Sequence, residues 1–256
     1  MNFNEKINEL NKRIAEARKI IFFTGAGIST GSGIPDFRSS TGLYSHGNIK
    51  DKTPEYMLSF DCYFQHPTEF YDYIRTNMDV RQATPNIAHL KITELQKVKE
   101  CHVITQNIDG LHEKAGNKNI YNIHGTFAKA QCQECGTYVN GDLVFETDND
   151  KYGIPLCPYC TYEGTLKPDI VLYGEGMSQP DWTNAVHEAT KGDLLIIVGT
   201  SLTVSPANFI PSYFGDKNIV IINKDETRLD HLADLIINDD IQKVFELIEV
   251  PKGEEE

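Results

Sequence analysis

Four large apolar residues, Ile20 to Phe23, run into a glycine-rich turn that holds Gly25, Gly27, Gly31 and Gly33. An apolar run without alternation reads as a strand buried on both faces, the kind found in parallel sheets covered by helices. Glycines after it let the backbone turn sharply and approach a ligand closely. A buried strand emptying into such a turn is the usual entrance to a phosphate or dinucleotide site. The usual fingerprint is incomplete here, because Thr30 stands where its third glycine belongs. The region about 20 positions on, where an acid should end a second strand, is the loop-like Ser45 to Asp51. Pro35-Asp36-Phe37-Arg38 then sets an acid, an aromatic and a base beside the phosphates. The stretch predicts a dinucleotide held differently from that of a dehydrogenase.

The rest of the chain alternates strand and helix patterns. Ile7, Leu10, Ile14 and Ala17 recur at helical spacing before the first strand. Residues 40 to 85 carry prolines, glycines and many aromatics, and read as a small helical module whose aromatic stripe is core. A helix is expected from Pro85 to about Lys99, followed by a strand at His102 to Thr105. Further strands are expected at Ile170 to Tyr173, Leu194 to Val198 and Ile219 to Ile222, with an edge strand at Asp234 to Ile237. Trp182 to Ala189 and Ile241 to Ile248 read as helices. This alternation predicts an α/β fold with a mostly parallel sheet and ligands at the carboxyl ends of its strands.

Residues 130 to 165 change character. Cys132-x-x-Cys135 and Cys157-x-x-Cys160 have the spacing of a zinc ribbon, in which four thiolates close a tetrahedron. A full set of protein ligands leaves no position for water, so the metal is read as structural; a redox dithiol pair is the alternative. Cys62 and Cys101 lack such spacing and read as buried small hydrophobes. Gln106-Asn107-Ile108-Asp109 ends a predicted strand, and His124-Gly125 follows. Asn and Asp there can bind a ribose or an amide, and a histidine can act as general base. His89 and His112 read as structural, with Asp109 or its neighbours as partners. Thr200 and Ser201 follow another buried strand and can cradle phosphate. Ser205-Pro206 reads as a helix cap, and Asn223 as a ribose contact.

The formal charge of −13 over 256 residues argues against generic binding to nucleic acid or anionic membranes. No apolar stretch approaches the roughly 20 residues that span a bilayer, and the polar N-terminus lacks a signal-peptide core. The paired cysteines point to a reducing, cytoplasmic compartment.

Together these residues resemble the sirtuins, NAD-dependent protein deacylases. The resemblance runs from about Glu16 to Ile248 and rests on motifs in family order: G-A-G-I-S at 25–29, G-I-P-D-F-R at 33–38, T-Q-N-I-D at 105–109, H-G at 124–125, the two cysteine pairs, G-T-S-L at 199–202 and Ile222-Asn223. It implies a large Rossmann-like domain (1–41, 86–127 and 166–256) and a small domain made of a helical module (42–85) and a zinc ribbon (128–165). It implies two cofactors, NAD and one structural zinc on Cys132, Cys135, Cys157 and Cys160. NAD would be lined by Ala26, Thr30, Phe37, Arg38, Gln106, Thr200, Ser201 and Asn223, with Asp240 or Ile241 flanking adenine. Ile108 and Asp109 would hold nicotinamide in a pocket closed by Phe37. Asn107 would order water and ribose, and His124 would accept a proton through the ribose hydroxyls after the acyl-lysine oxygen displaces nicotinamide. The implied activity is lysine deacetylation; an ADP-ribosyltransferase using the same cleft and a non-catalytic NAD sensor are the alternatives. The implied partner is an acylated peptide paired along Ile170 to Glu175, with the enzyme a monomer that binds neither membrane nor nucleic acid. A subclass that takes acidic acyl groups has Tyr-x-x-Arg in the helical module. Here Tyr71 is followed by Ile74 at the Arg position and Arg75 one residue on, which favours neutral acyl groups, acetyl first.

Overall fold

The computed structural model describes residues 1–36, 52–148, 150–215 and 218–252. Phe37 and Arg38, two of the expected cofactor contacts, lie outside the described residues. In chain order the elements are α1 (Phe3–Glu16), β1 (Lys19–Thr24), α2 (Pro54–Met57), α3 (Phe60–Gln65), α4 (Pro67–Asn77), α5 (Ile87–Leu95), β2 (Glu100–Thr105), α6 (Leu111–Lys114), β3 (Ile120–Asn122), β4 (Gly125–Cys132), β5 (Tyr138–Asn140), β6 (Asp150–Lys151), β7 (Ile154–Pro155), β8 (Leu166–Ile170), α7 (Gln179–Lys191), β9 (Leu194–Val198), α8 (Ile210–Phe214), β10 (Asn218–Ile222), β11 (Leu235–Ile237) and α9 (Ile241–Glu246).

Six strands form one parallel sheet in the order β11-β10-β9-β1-β2-β3. Its strands run outward from β1 in both directions, the doubly wound Rossmann pattern, and the strand order reverses between β1 and β9. The apolar runs are unbroken because both faces are covered. Ile20, Phe22, Leu194, Ile196 and Val198 pack with α1, α5 and α9 in one core. Their neighbours in sequence, Ile21, Phe23, Leu195 and Ile197, pack with α7 and α8 in another. Helix α1 is fixed at its start by a capping box between Asn2 and Glu5.

A second unit holds the three-stranded antiparallel sheet β5-β4-β8, the β6-β7 pair and helices α2 to α4. Helix residues Phe70, Tyr71 and Ile74 share one core with Phe127, Val144 and Leu166.

Two expectations need correction here. The stretch Ile170 to Tyr173 is not a strand of the parallel sheet. The strand is β8, which ends at Ile170 and pairs with β4. Leu166, Pro168 and Ile170 point inward and Lys167 and Asp169 outward, the alternation of a sheet wet on one face. Beyond it the amides of Val171 and Tyr173 donate to the carbonyls of His124 and Leu58, so the chain ties elements together instead of extending the sheet. Ser205 does not cap a helix either. The Ser205–Pro206 bond is cis, and a 3-10 turn starts at Ala207 without a side-chain cap. The edge strand β3 was not anticipated; three half-buried residues carry too little pattern to stand out.

Candidate active site

The carboxyl ends of β1, β2, β9 and β10 open into a cleft of about 960 Å³. At its base two loops touch where the strand order reverses. A methyl group on Gly27 would sit 2.7 Å from the Gly199 Cα, and one on Gly199, whose φ is +62°, would sit 2.4 Å from the Ile28 nitrogen. The Gly27 amide donates to the Gly199 carbonyl at 2.8 Å. These two glycines therefore serve the contact between loops as much as any approach to a ligand. Leu202, buried at φ +55°, continues the bent path of the second loop.

The expected residues converge on this cleft. Ala26 and Thr30 line it from the first loop, Thr200 and Ser201 from the second, Asn223 from the end of β10, and Asp240 and Ile241 from the start of α9. Gln106 and Ile108 line it after β2, and the Gln106 amide donates to the Thr200 hydroxyl at 3.0 Å. Asn107 is buried at the floor, its amide donating to the Gly25 carbonyl and the Ser29 hydroxyl, both at 3.1 Å. Ser29 in turn donates to Asp109 at 2.7 Å, and the other Asp109 oxygen accepts from the Leu111 amide at 2.9 Å. Asp109 thus ties the loop from behind and is not among the residues lining the cleft.

His124 lines the cleft beside Asn107's loop. Its Nδ1 lies 3.0 Å from the Gln106 carbonyl. A carbonyl only accepts, so Nδ1 carries the proton and Nε2 keeps an open lone pair. Burial pushes the imidazole below its ordinary value of 6.5, against the opposing pull of that carbonyl. The ring is neutral at pH 7 and able to take a proton. His112 and His89 are structural, as expected, although not through Asp109. His112 bonds Asn117 at 2.6 Å and Thr24 at 3.0 Å, and the two rings meet edge to face at 4.8 Å.

Dinucleotide chemistry fits the cleft: loop amides and hydroxyls at strand ends suit phosphates, and Asn223 suits a ribose. The second unit closes the other wall with Leu58, Leu172 and Tyr173. Leu58 and Gln242 line the cleft without having been singled out in sequence. Gly31 leaves the room that Gln242 fills, since a methyl group there would meet its side chain at 2.3 Å.

The thiols of Cys132, Cys135 and Cys157 lie within 4.8 Å of one another. Cys160 completes the set: a methyl group on Gly164 would press on both the Cys132 sulfur, at 2.5 Å, and the Cys160 sulfur, at 3.1 Å. The Thr137 hydroxyl and amide hold the Cys135 thiol down to about 6. Thiols gathered in this way are the donor set of a structural zinc. Tyr71 and Arg75 are committed elsewhere. The Tyr71 hydroxyl donates to the Leu166 carbonyl at 2.6 Å, and Arg75 donates to the carbonyls of Val144 and Gly153 and pairs with Asp150 at 2.8 Å.

Known proteins share this arrangement. A model of the Sir2 family matches residues 25–206. The chain is 43% identical over 247 residues to an NAD-dependent protein deacetylase of Clostridium acetobutylicum, covering 95% of this chain and 98% of that protein. A protein of the same name from Listeria monocytogenes is 39% identical, with 94% of this chain and 100% of that one covered. Among solved structures, a Sir2 complex with a deacetylated p53 peptide and 3′-O-acetyl ADP ribose matches with a TM-score of 0.84 at 32% identity, over 94% of this chain and 96% of that chain. A Sir2–p53 peptide–NAD+ complex matches with a TM-score of 0.81 at 33% identity, over 94% and 95%.

Proposed function

Because the chain belongs to the Sir2 family, we infer that it is an NAD-dependent protein-lysine deacetylase, converting acetyl-lysine, NAD and water to lysine, nicotinamide and O-acetyl-ADP-ribose. The observation that carries this reading is a neutral imidazole, His124, sharing one cleft with the strand-end loops of a doubly wound sheet. Bound NAD supplies an electrophilic ribose carbon and nicotinamide as its leaving group.

The chain's residues do the rest. Ala26, Thr30, Thr200 and Ser201 hold the phosphates, Asn223 the ribose, and Asp240 and Ile241 the adenine side. Gln106 braces the second loop through Thr200. Ile108 and Asp109 hold nicotinamide, and Asp109 also fixes the loop that presents it. Phe37 and Arg38 belong to the same site by their place in the motif. Asn107, held on two sides, orients water and the ribose. The Nε2 of His124 takes the proton released from a ribose hydroxyl, with Nδ1 anchored on the Gln106 carbonyl.

The acylated peptide lies extended along residues 170–175, between the parallel-sheet domain and the small domain that carries the zinc. Cys132, Cys135, Cys157 and Cys160 hold one zinc, which shapes the small domain and takes no part in the chemistry. With Arg75 consumed inside the small domain, neutral acyl groups are preferred, acetyl first. The reduced thiols a zinc site requires support a cytoplasmic setting.

Incubation with NAD and an acetyl-lysine peptide tests the reading. The protein should form O-acetyl-ADP-ribose, and His124→Ala should slow this by about 10²- to 10⁴-fold while NAD binding persists. A mass gain on the protein in place of that product would mean ADP-ribosyl transfer. Equal loss of binding and turnover in the variant would make the imidazole architectural.

A further inference from the structure

A second cavity of about 900 Å³ opens beside the cleft and shares Ile170, Val171, Gly174 and Glu175 with it. Strand β8 turns Lys167 and Asp169 toward this space, β4 contributes Lys129, and the first turn of α7 contributes Asp181. Lys167 is already engaged, 3.1 Å from Glu175 and 3.0 Å from the Ile170 carbonyl. That pair cancels. Asp169, Asp181 and Lys129 are left, and none of the three has an ion-pair partner among the described residues, so the cavity keeps one uncompensated negative charge. Asp169 is half-buried, and burial pushes its carboxyl up against the pull of Lys129 and Lys167, with Asp181 adding to the rise. A carboxylate in that setting gains from one further cation. The exposed aromatic residues Phe60 and Tyr138 also line this cavity.

We propose that this cavity is a specificity subsite for a basic side chain, Lys or Arg, lying near the acyl-lysine in the target protein, with Asp169 and Asp181 as its charge partners. One such side chain brings the cavity to neutrality. An extended peptide advances about 3.3 Å per residue, so a space sharing four wall residues with the cleft is reached within a few positions of the acyl-lysine. The overall charge of −13 also draws basic segments toward the protein. The proposal rests on the deacetylase reading.

The test is a set of acetyl-lysine peptides with a single Arg, Ala or Glu placed in turn at the positions on either side. At the best position Arg should raise kcat/KM about fivefold over Ala, through KM with kcat unchanged, and Glu should lower it. Asp169→Asn and Asp181→Asn should each shrink the Arg preference and leave the Ala peptide unaffected. Lys129→Glu should enlarge the preference, and high salt should weaken it. Turnover that is equal for Arg, Ala and Glu peptides would overturn the subsite, as would a preference untouched by both Asp variants. No turnover of any acetyl peptide would overturn the deacetylase reading and the subsite with it.

Discussion

The parallel sheet and the zinc unit solve the same problem, burying enough surface to hold a shape, by different means. The sheet has aliphatic cores on both faces, so each residue of β9 is buried on one side or the other. The zinc unit has strands as short as two residues and a core that mixes aliphatics such as Ile74, Val144 and Leu166 with aromatics and cysteines. Phe70 and Tyr71 meet edge to face at 5.2 Å, and the buried Tyr71 hydroxyl must reach the Leu166 carbonyl. Arg75 ties helix α4 to Val144 and, through Gly153 and Asp150, to the β6–β7 hairpin. A segment this small cannot support itself on apolar burial alone, and cross-links by metal and guanidinium take up the difference. The cleft wall of Leu58, Leu172 and Tyr173 therefore stands on the less self-sufficient unit.

Metal removal should break that contrast most visibly. Structural zinc contributes an apparent 10–16 kcal/mol, roughly, in small zinc-dependent folds. Chelation or Cys157→Ser should disorder the zinc unit and abolish turnover while the far-UV signal of the sheet largely persists. Full activity in metal-free protein would show that the unit holds without cross-links. A smaller effect is expected from the opposite side. Gly199→Ala forces a left-handed residue and a methyl group 2.4 Å from the Ile28 nitrogen, and should cost about 2–5 kcal/mol. Denaturant melts should show that loss together with weaker NAD binding and an intact zinc content; an unchanged midpoint would mean the loops can separate freely.

The gentlest test concerns the sheet's buried histidines. Burial, with a further push from His112, takes His89 from 6.5 down to about 3. The unfolded chain then binds more protons than the folded one between those values, so this contribution is complete above about 6.5 and drains away as pH falls toward about 3. The slope is at most about 1.4 kcal/mol per pH unit for one such group. His89→Leu also removes an Nε2 that has no partner among the described residues, and should flatten acid destabilisation with little change at neutral pH. An unaltered acid profile would assign the proton uptake elsewhere.

Much of this was legible in the chain. The strand at Leu194 to Val198 is unbroken apolar sequence, and the structure bounds it at those residues. The cysteine spacing announced the metal ligands, and the strand-end motifs led to most of the residues that line the cleft. Ile170 to Tyr173 misled because four apolar residues look alike whether they pair in a sheet or donate amides to His124 and Leu58. The strand-end position of Asp109 suggests a ligand contact, but the bonds from Ser29 and the Leu111 amide that fix its two oxygens could be seen only in the fold. Leu58 and Gln242 carry no local signal at all; only the fold brings them to the cleft.

Local chemistry was enough to dictate the buried strands, their order of appearance, the thiol set and the presence of a titratable imidazole. Those follow from side-chain polarity and from spacings within a few residues. Which imidazole stays neutral, which carboxylate is tied down and which is left facing an open cavity were decided by tertiary structure. The reason is that a proton's free energy depends on desolvation and on partners from distant segments: His124 takes its state from the Gln106 carbonyl and its own burial, and Asp169 from Lys129, Lys167 and Asp181 around it.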